Sequence, residues 1–306
     1  MCLRAMLRDI FNLRAGTPGV SWAPERVASM SRTALAAAGL AMLAGAPVHA
    51  EPPRIWDPGY RIVSPDLAGI PRLRFLTSLD FPPFNFADAN RKPTGFNVDL
   101  ARAICAELGL TDRCEIQAIP WDELEPALDG RRGEVILAGT APSAEKRLRF
   151  GLSEPYFRFP ARFVANRAFQ PGGDFARALE GRKVAVVARS AHAAMLETHF
   201  PATEPVPVAD MPAAYAALGS GEADLVFGDG VTLSFWLAAP ASEQCCRFVS
   251  GPYMSDVHLG QGMVAVTRAQ DQPLLDAVNA ALRAVEQNGV YAEIFARYFP
   301  IDPFGS

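Results

Sequence analysis

The segment 73–128 constrains the fold more than any other part of the chain. It begins with an apolar stretch, Leu73–Thr77, which predicts a strand, and the motif DFPPF (80–84) follows. Residues 95–100 then open an amphipathic helix, and a second strand leads to Trp121 and another short helix. This pattern places an acid, aromatic rings and a proline-stiffened loop at the end of a strand, where open α/β sheets bind small molecules.

Strands and helices continue to alternate along the rest of the chain. The apolar run 135–138 predicts a buried parallel strand, 181–187 opens a second unit, and 223–229 is an apolar strand that ends on an acid. The helix pair 274–298 has apolar residues at helical spacing and is interrupted at Asn288-Gly289, as is typical of packing helices. The pattern predicts an α/β fold of two modest domains.

Composition excludes several classes of function. Half of the residues are hydrophobic, 20% are charged and the net charge is −4, which excludes the basic footprint of a nucleic-acid-binding protein. The body of the chain has no apolar run long enough to span a bilayer. Its histidines, His192, His199 and His258, are scattered and are interpreted as surface or loop residues. The sequence therefore predicts no metal, no cofactor and no nucleic-acid partner.

The N-terminal fifty residues predict export. Arg32 precedes the apolar run 34–44, and Val48-His49-Ala50 resembles the end of a signal peptide, so we expect cleavage after Ala50. An internal alanine-rich helix is the alternative, and Met30 is an alternative start. Residues 51–71 are rich in proline and predict an irregular arm.

Export would place the mature chain in an oxidising compartment. Cys105 lies in the helix that begins near Asn97, and Cys114 opens the next strand, so a disulfide between the two cysteines is geometrically reasonable. Two free, buried thiols are the alternative. The adjacent Cys245 and Cys246 either pair with each other, pair elsewhere or stay reduced, and the sequence leaves this open.

Taken in order, these segments resemble the family 3 extracellular solute-binding proteins, the periplasmic receptors for polar amino acids in ABC importers. The motifs that carry the resemblance are 80–84, 95–101, 121–128, 138–139, 153–156, 223–229 and 288–291. The resemblance covers nearly all of 72–300 and implies a two-lobed clamp of the type II periplasmic-binding-protein kind, with a ligand cleft between the lobes. Lobe 1 would hold 72–161 and 259–306, and lobe 2 would hold 162–258.

The resemblance also implies roles for two acids and two aromatic rings. Asp229 matches the family's ammonium-binding acid, and Asp80 matches a position that contacts the ligand's amine or side chain. From the residues alone, Asp229 is equally typical of a cap on the next helix. Phe84 and Trp121 match the aromatic pair that sandwiches the ligand, with ordinary core packing as the alternative.

The ligand's carboxylate would be held by the loop after the 135–138 strand and by a cation beyond it. The loop residues implied are Gly139, Thr140 and Ala141. Counting back from Ser153 places Lys146 at the family's arginine position, whereas matching the Glu-Lys-Arg string places Arg147 there. We favour Arg147, because a planar guanidinium binds a carboxylate in bidentate fashion.

Two positions depart from the family pattern. Ala141 replaces a threonine, which removes a hydroxyl from the loop. Ser190-Ala191 replaces the usual Gly-Thr turn of lobe 2, so Ser190 would donate through its amide or hydroxyl at a helix start, with Arg189 as an added anion partner.

Three functions compete. The leading one is a monomeric, non-enzymatic periplasmic receptor that captures an amino acid or related small carboxylate by lobe closure and delivers it to an inner-membrane ABC permease. A cyclohexadienyl-dehydratase-like enzyme on the same fold would need a general acid, such as Asp80 or Glu154. An accessory or sensor protein with a modified cleft is the third, suggested by Ala141 and Ser190.

Overall fold

The computed structural model describes residues 71–305, so the predicted signal peptide, its cleavage site and all of the arm but residue 71 lie outside the described part. Thirteen strands lie within it. They are β1 (Leu73–Thr77), β2 (Asp80–Phe81), β3 (Asn85–Ala87), β4 (Pro93–Thr94), β5 (Cys114–Ala118), β6 (Val135–Thr140), β7 (Phe150–Leu152), β8 (Ala161–Asn166), β9 (Lys183–Val187), β10 (Glu204–Val208), β11 (Leu225–Asp229), β12 (Cys246–Tyr253) and β13 (Val264–Arg268).

Ten α-helices alternate with these strands in the same residues. They are α1 (Phe96–Glu107), α2 (Leu124–Asp129), α3 (Ala144–Arg149), α4 (Phe175–Ala178), α5 (Ala191–His199), α6 (Met211–Ser220), α7 (Gly230–Ala238), α8 (Asp256–Leu259), α9 (Gln272–Gln287) and α10 (Val290–Tyr298). Short 3-10 turns lie at Thr111–Arg113, Trp121–Glu123 and Pro240–Ser242.

Two five-stranded sheets divide the fold. The first has the order β5-β1-β6-β13-β7, and the second has the order β10-β9-β11-β8-β12. In each, three parallel strands are joined to antiparallel neighbours. We call the part built on the first sheet lobe 1 and the part built on the second lobe 2. The predicted two-lobed α/β fold is confirmed, whereas the boundaries 72–161 with 259–306 and 162–258 stay a prediction.

Each sheet is buried on both faces, as its apolar strands predict. In β1, Leu73 and Phe75 pack with helices α1, α9 and α10, while Leu76 packs with α2 on the opposite face. Lobe 2 repeats this alternation in β9, where Val184 and Ala185 belong to different clusters. Successive side chains of a strand point to opposite faces, so one short apolar segment serves two cores.

The start of α1 fixes the loop that carries the DFPPF motif. Gly95 has φ +120°, and a Cβ there would lie 2.4 Å from the carbonyl oxygen of Phe84. The Asn97 amide donates to this oxygen at 2.8 Å. Only glycine allows so close an approach, and the loop is therefore held against the helix start.

Both cysteine pairs form disulfides. Cys105 of α1 is bonded to Cys114 of β5, which confirms the predicted helix-to-strand bond. Cys245 is bonded to its neighbour Cys246 at the start of β12, which answers the question that the sequence left open.

Candidate ligand-binding site

The topology gathers the predicted residues at two sheet edges. In lobe 1, β1, β5 and β6 run parallel, so the segments that follow them share the edge formed by their carboxyl ends. Asp80 and Trp121 lie in the segments after β1 and β5, Gly139 and Thr140 are the last residues of β6, and Ala141 follows them. In lobe 2, β9 and β11 are parallel, and their carboxyl ends carry Ser190 and Asp229. Such edges are where open α/β sheets bind ligands.

Phe84 does not face this edge. It is 2% exposed and packs edge-on against Phe96 and Phe157, with ring centroids 6.0 and 4.9 Å away. The prediction of Phe84 as a ligand-contacting ring is therefore wrong, and its core-packing alternative is correct.

Phe81 is the ring of the motif that reaches the edge. It is partly exposed, stacks on Phe84 with 4.8 Å between centroids, and lies beneath the Gly139 backbone, where a Cβ would come within 2.7 Å of it. Sequence reasoning missed Phe81 because the motif offers two phenylalanines and nothing local shows which one is buried.

Trp121 and Asp80 are both accessible. The Trp121 residue is 48% exposed at the start of its 3-10 turn, which is unusual for so large an apolar side chain. Asp80 is exposed, and its Oδ1 accepts a hydrogen bond from the Ser78 hydroxyl at 2.7 Å. Both side chains can therefore reach a molecule at the edge without rearranging the core.

Lys146 and Arg147 point to different surroundings. The Lys146 ammonium pairs with Glu125 of α2, the helix that follows Trp121. Arg147 instead donates from Nη2 to Gln261 Oε1 at 2.7 Å. It lines a cavity of about 370 Å³ that also contains Glu154 but no other residue of the predicted ligand-binding set. The choice between Lys146 and Arg147 stays a prediction, and the ion pair with Glu125 links Lys146 to the helix that follows Trp121.

Asp229 forms the cap on α7. Its Oδ1 accepts hydrogen bonds from the Thr232 amide at 2.7 Å and from the Thr232 hydroxyl at 2.8 Å. Burial raises the pKa of the Asp229 carboxyl, although the Thr232 bonds and the nearby His192 oppose this. The cap reading is confirmed, and a ligand role for the same carboxylate stays a prediction.

His192 is a neighbour of Asp229 that sequence reasoning missed. It lies in the first turn of α5, edge-on to Phe227 with 6.1 Å between ring centroids. Phe227 and Asp229 are two residues apart in β11 and share one face of the strand. Burial lowers the pKa of His192, and the attraction of Asp229 partly offsets this. His192 is half-buried and lies in a helix, so its interpretation as a loop residue is wrong, and only the sheet register could have revealed its proximity to Asp229.

Ser190 caps the start of α5. Its Oγ accepts from the Ala193 amide at 3.1 Å, which leaves the hydroxyl hydrogen free to donate. The preceding Arg189 has φ +58°, a left-handed conformation that is uncommon for arginine. The helix start is thus set by a cap and an unusual backbone turn, which is typical of functional loops.

No group of three or more His, Cys, Asp or Glu side chains within residues 71–305 is placed to hold a metal ion. No helix in the same range is long and apolar enough to cross a membrane.

Comparison with known proteins identifies the family. The family model for bacterial extracellular solute-binding proteins, family 3, matches residues 73–301. The chain is 31% identical over 229 residues to the putative ABC transporter arginine-binding protein 2 of Escherichia coli K12, an alignment that covers 74% of this chain and 90% of that protein. It is 29% identical over 232 residues to the L-arginine-binding protein of Pseudomonas aeruginosa, covering 74% and 87% of the two chains.

A solved structure supports the fold. The unliganded, open L-cystine solute receptor of Neisseria gonorrhoeae superimposes with a TM-score of 0.64 at 20% identity, covering 77% of this chain and 95% of that one. Both relatives are named as binding proteins, which favours solute binding over the dehydratase considered above. It belongs to family 3 of the bacterial extracellular solute-binding proteins.

Proposed function

We propose that the protein is a periplasmic receptor for an amino acid or a related small carboxylate, which it captures by lobe closure and delivers to an ABC permease. The observation that carries the proposal is the presence of opposite charges at the two strand-end edges, Lys146 on lobe 1 and Asp229 on lobe 2. An amino acid carries both a carboxylate and an ammonium, and burying either without a partner costs several kcal/mol.

The relatives support the ligand class. Two of them are named as arginine-binding proteins of E. coli, and a third is named as the L-arginine-binding protein of P. aeruginosa. At identities of 26 to 31% such names point to amino acids as the class. They leave the individual amino acid to experiment.

The proposed ligand residues follow the geometry. Trp121 and Phe81 would contact the ligand's apolar part, and the backbone of the 139–141 loop would donate to its carboxylate. Lys146 would exchange Glu125 for that carboxylate. The full set that we propose is Asp80, Phe81, Trp121, Gly139, Thr140, Ala141, Lys146, Ser190, His192 and Asp229.

The remaining parts of the proposal concern the context of the receptor. We propose that export removes the segment ending at Ala50 and that the mature chain acts as a monomer. A clamp that encloses one small ligand needs no second copy. Closure would be read by the permease, because a ligand shifts a two-state protein towards the state that it binds better.

Thermal unfolding of residues 51–306 tests the proposal. The protein is first unfolded and refolded to remove any ligand carried from the cell, and it is then screened against the amino acids and a set of small carboxylates. A ligand that binds only the folded state stabilises it by RT ln(1 + [L]/Kd), about 2.7 kcal/mol at roughly a hundredfold excess over Kd. A shift with one class of compound names the ligand, and a flat response to the whole panel contradicts the proposal.

A further inference from the structure

The C-terminal tail, residues 301–305, makes contacts in both lobes. Phe304 packs against Phe157 and Phe295 of lobe 1, with ring centroids 5.9 Å away in each case. Ile301 packs instead on the lobe 2 cluster that contains Val164 and Leu233. The tail follows α10 of lobe 1, so a segment that starts in one lobe ends against the other.

Arg162 of lobe 2 is the group that holds the tail. It is 1% exposed, and its Nη1 donates to the carbonyl oxygens of Pro303 at 3.2 Å and Gly305 at 2.5 Å. The guanidinium also stacks on the Phe248 ring at 4.4 Å from its centroid. Burial lowers the pKa of Arg162 to about 10, with the Asp302 carboxylate opposing this, so the side chain stays charged at neutral pH.

Two glycines make room for this arginine. A Cβ on Gly230 would lie 2.9 Å from Arg162 Cγ, and a Cβ on Gly251 would lie 2.8 Å from Arg162 Cδ. Gly251 also has φ +101°, which disfavours any other residue. The surroundings are therefore shaped around a buried charge whose hydrogen-bond partners belong to the tail.

Arg162 also lies beside the acid of the proposed site. In the antiparallel pair of β8 and β11, Arg162 is opposite Gly228, and Ala161 is opposite Asp229. The Gly230 amide, next to Asp229, donates to the Pro160 carbonyl at 2.7 Å. Arg162 therefore lies in the strand pair that presents Asp229 and close to the main-chain bond at the start of α7.

We propose that the tail is a strap between the lobes and that Arg162, through it, is a positioning residue for Asp229. The strap ties the end of lobe 1 to the β8–β11 strand pair of lobe 2, so the position of Asp229 depends on a segment distant in sequence. The inference rests on the proposed function only in taking Asp229 as a ligand group.

Hydrogen exchange measured by mass spectrometry tests the strap without a ligand. The variants are Arg162→Met, a deletion of residues 301–306, and the two combined. Methionine fills much of the arginine's volume without its charge, and such replacements are often tolerated in a core, so Arg162→Met keeps the test valid if the deletion fails to fold.

The matched control is Arg268→Met in lobe 1. Arg268 is also buried and also donates to two main-chain carbonyls, those of Leu128 at 3.1 Å and Gly133 at 2.7 Å, but both lie in its own lobe. It reports what the loss of a buried arginine does to exchange when no strap is involved.

We expect exchange in segment 225–235 to rise about tenfold in Arg162→Met and in the deletion, while segment 183–187 of the same sheet stays within about twofold. The combined variant should exchange no faster than the deletion alone, because the deletion already removes the carbonyl partners of Arg162. Arg268→Met should leave 225–235 unchanged. Unchanged exchange in 225–235 in both strap variants overturns the proposal, as does an equal rise throughout lobe 2.

Titration with L-arginine supplies a second readout. If L-arginine binds the wild type, its Kd should rise about fivefold or more in both strap variants, which corresponds to about 1 kcal/mol. An unchanged Kd alongside faster exchange overturns the positioning role. If L-arginine does not bind the wild type, the arginine reading of the proposed function is what fails, and the exchange measurement alone decides on the strap.

Discussion

The two edges of the candidate site differ in how their charged groups are held. On lobe 1, the Lys146 ammonium lies in a side chain that is 26% exposed and pairs with Glu125, close to water. On lobe 2, Asp229 is half-buried, burial raises the pKa of its carboxyl, and Oδ1 already caps a helix. An ion pair near water exchanges partners at little cost, whereas a carboxylate whose charge is disfavoured by desolvation gains more from a cation. We therefore expect lobe 2 to supply the larger share of the binding free energy.

The largest expected effect tests whether, in lobe 1, the buried ring of Phe84 stabilises the fold while the exposed ring of Trp121 serves ligand binding. Phe84→Ala should lower the free energy of unfolding by about 3–5 kcal/mol, because it opens a cavity in an aromatic cluster. Trp121→Ala, at an exposed ring, should change it by no more than about 0.5 kcal/mol while weakening ligand binding. Urea unfolding of both variants measures the difference. Similar losses of stability would show that Trp121 is a packing residue.

The second prediction concerns Asp229 of lobe 2. Asp229→Ala should cost about 2–5 kcal/mol of ligand affinity, as removal of one partner of a buried charge pair does. It should also cost about 1 kcal/mol of folding stability through the lost cap. Calorimetric titration with the ligand found in the thermal screen measures the affinity.

Asp174→Ala is the matched control for Asp229→Ala. Asp174 caps α4 by accepting from the Arg177 amide at 3.2 Å. It follows β8, which runs antiparallel to β11 and therefore ends at the side of the sheet that is distant from Asp229. The control should lose stability but no affinity. Equal affinity in wild type and both variants would exclude Asp229 from the site.

The third prediction separates the two cations of lobe 1. Lys146→Met should weaken ligand binding by about 1.5–3 kcal/mol, the value of a hydrogen bond to a charged group. Arg147→Met should leave affinity within about twofold, since Arg147 donates to Gln261 instead of pairing with Glu125. The reverse order of effects would restore Arg147 as the carboxylate partner.

The choice between Lys146 and Arg147 shows what the sequence can and cannot predict. Periodicity and the 73–128 pattern predicted an α/β fold and the cysteine pair Cys105 and Cys114, whereas the two lobes were implied by the resemblance of the ordered motifs to a known family. The fold class and the cysteine pair rest on local spacing. The choice between Lys146 and Arg147 cannot be made from local spacing. Adjacent residues on a helix point about 100° apart, and a six-residue charged helix has no apolar pattern that shows which side faces the ligand.

The same limit explains the errors with aromatic and histidine residues. Phe81 and Phe84 are three residues apart in one loop, and only packing against Phe96 and Phe157 decides which one is buried. His192 meets Asp229 because β9 and β11 are neighbours in the sheet, a long-range pairing. Local signals thus predict which segments form the site, and tertiary packing decides which side chains reach it.

The smallest expected effect is a pH dependence, and it tests whether lobe 2 keeps its negative charge available. Burial lowers the pKa of His192 in the folded protein below its usual value of about 6.5. The neutral ring therefore contributes stability that is fully present above about pH 6.5 and is lost as pH falls through the lowered pKa. His192→Gln removes this contribution.

We expect the wild type to lose more unfolding free energy than His192→Gln between pH 7.5 and 5, by less than about 1.4 kcal/mol per pH unit. Urea unfolding at several pH values measures the difference, in which His199, His258 and Asp229 are common to both proteins. A neutral His192 leaves Asp229 to bind a ligand's cation. The contrary result is that the wild type gains stability relative to the variant as pH falls. Asp229 would then favour the charged imidazolium of His192, and its carboxylate would already be neutralised within lobe 2. Lobe 2 would then offer no free negative charge to a ligand, and the contrast between the two edges would fail.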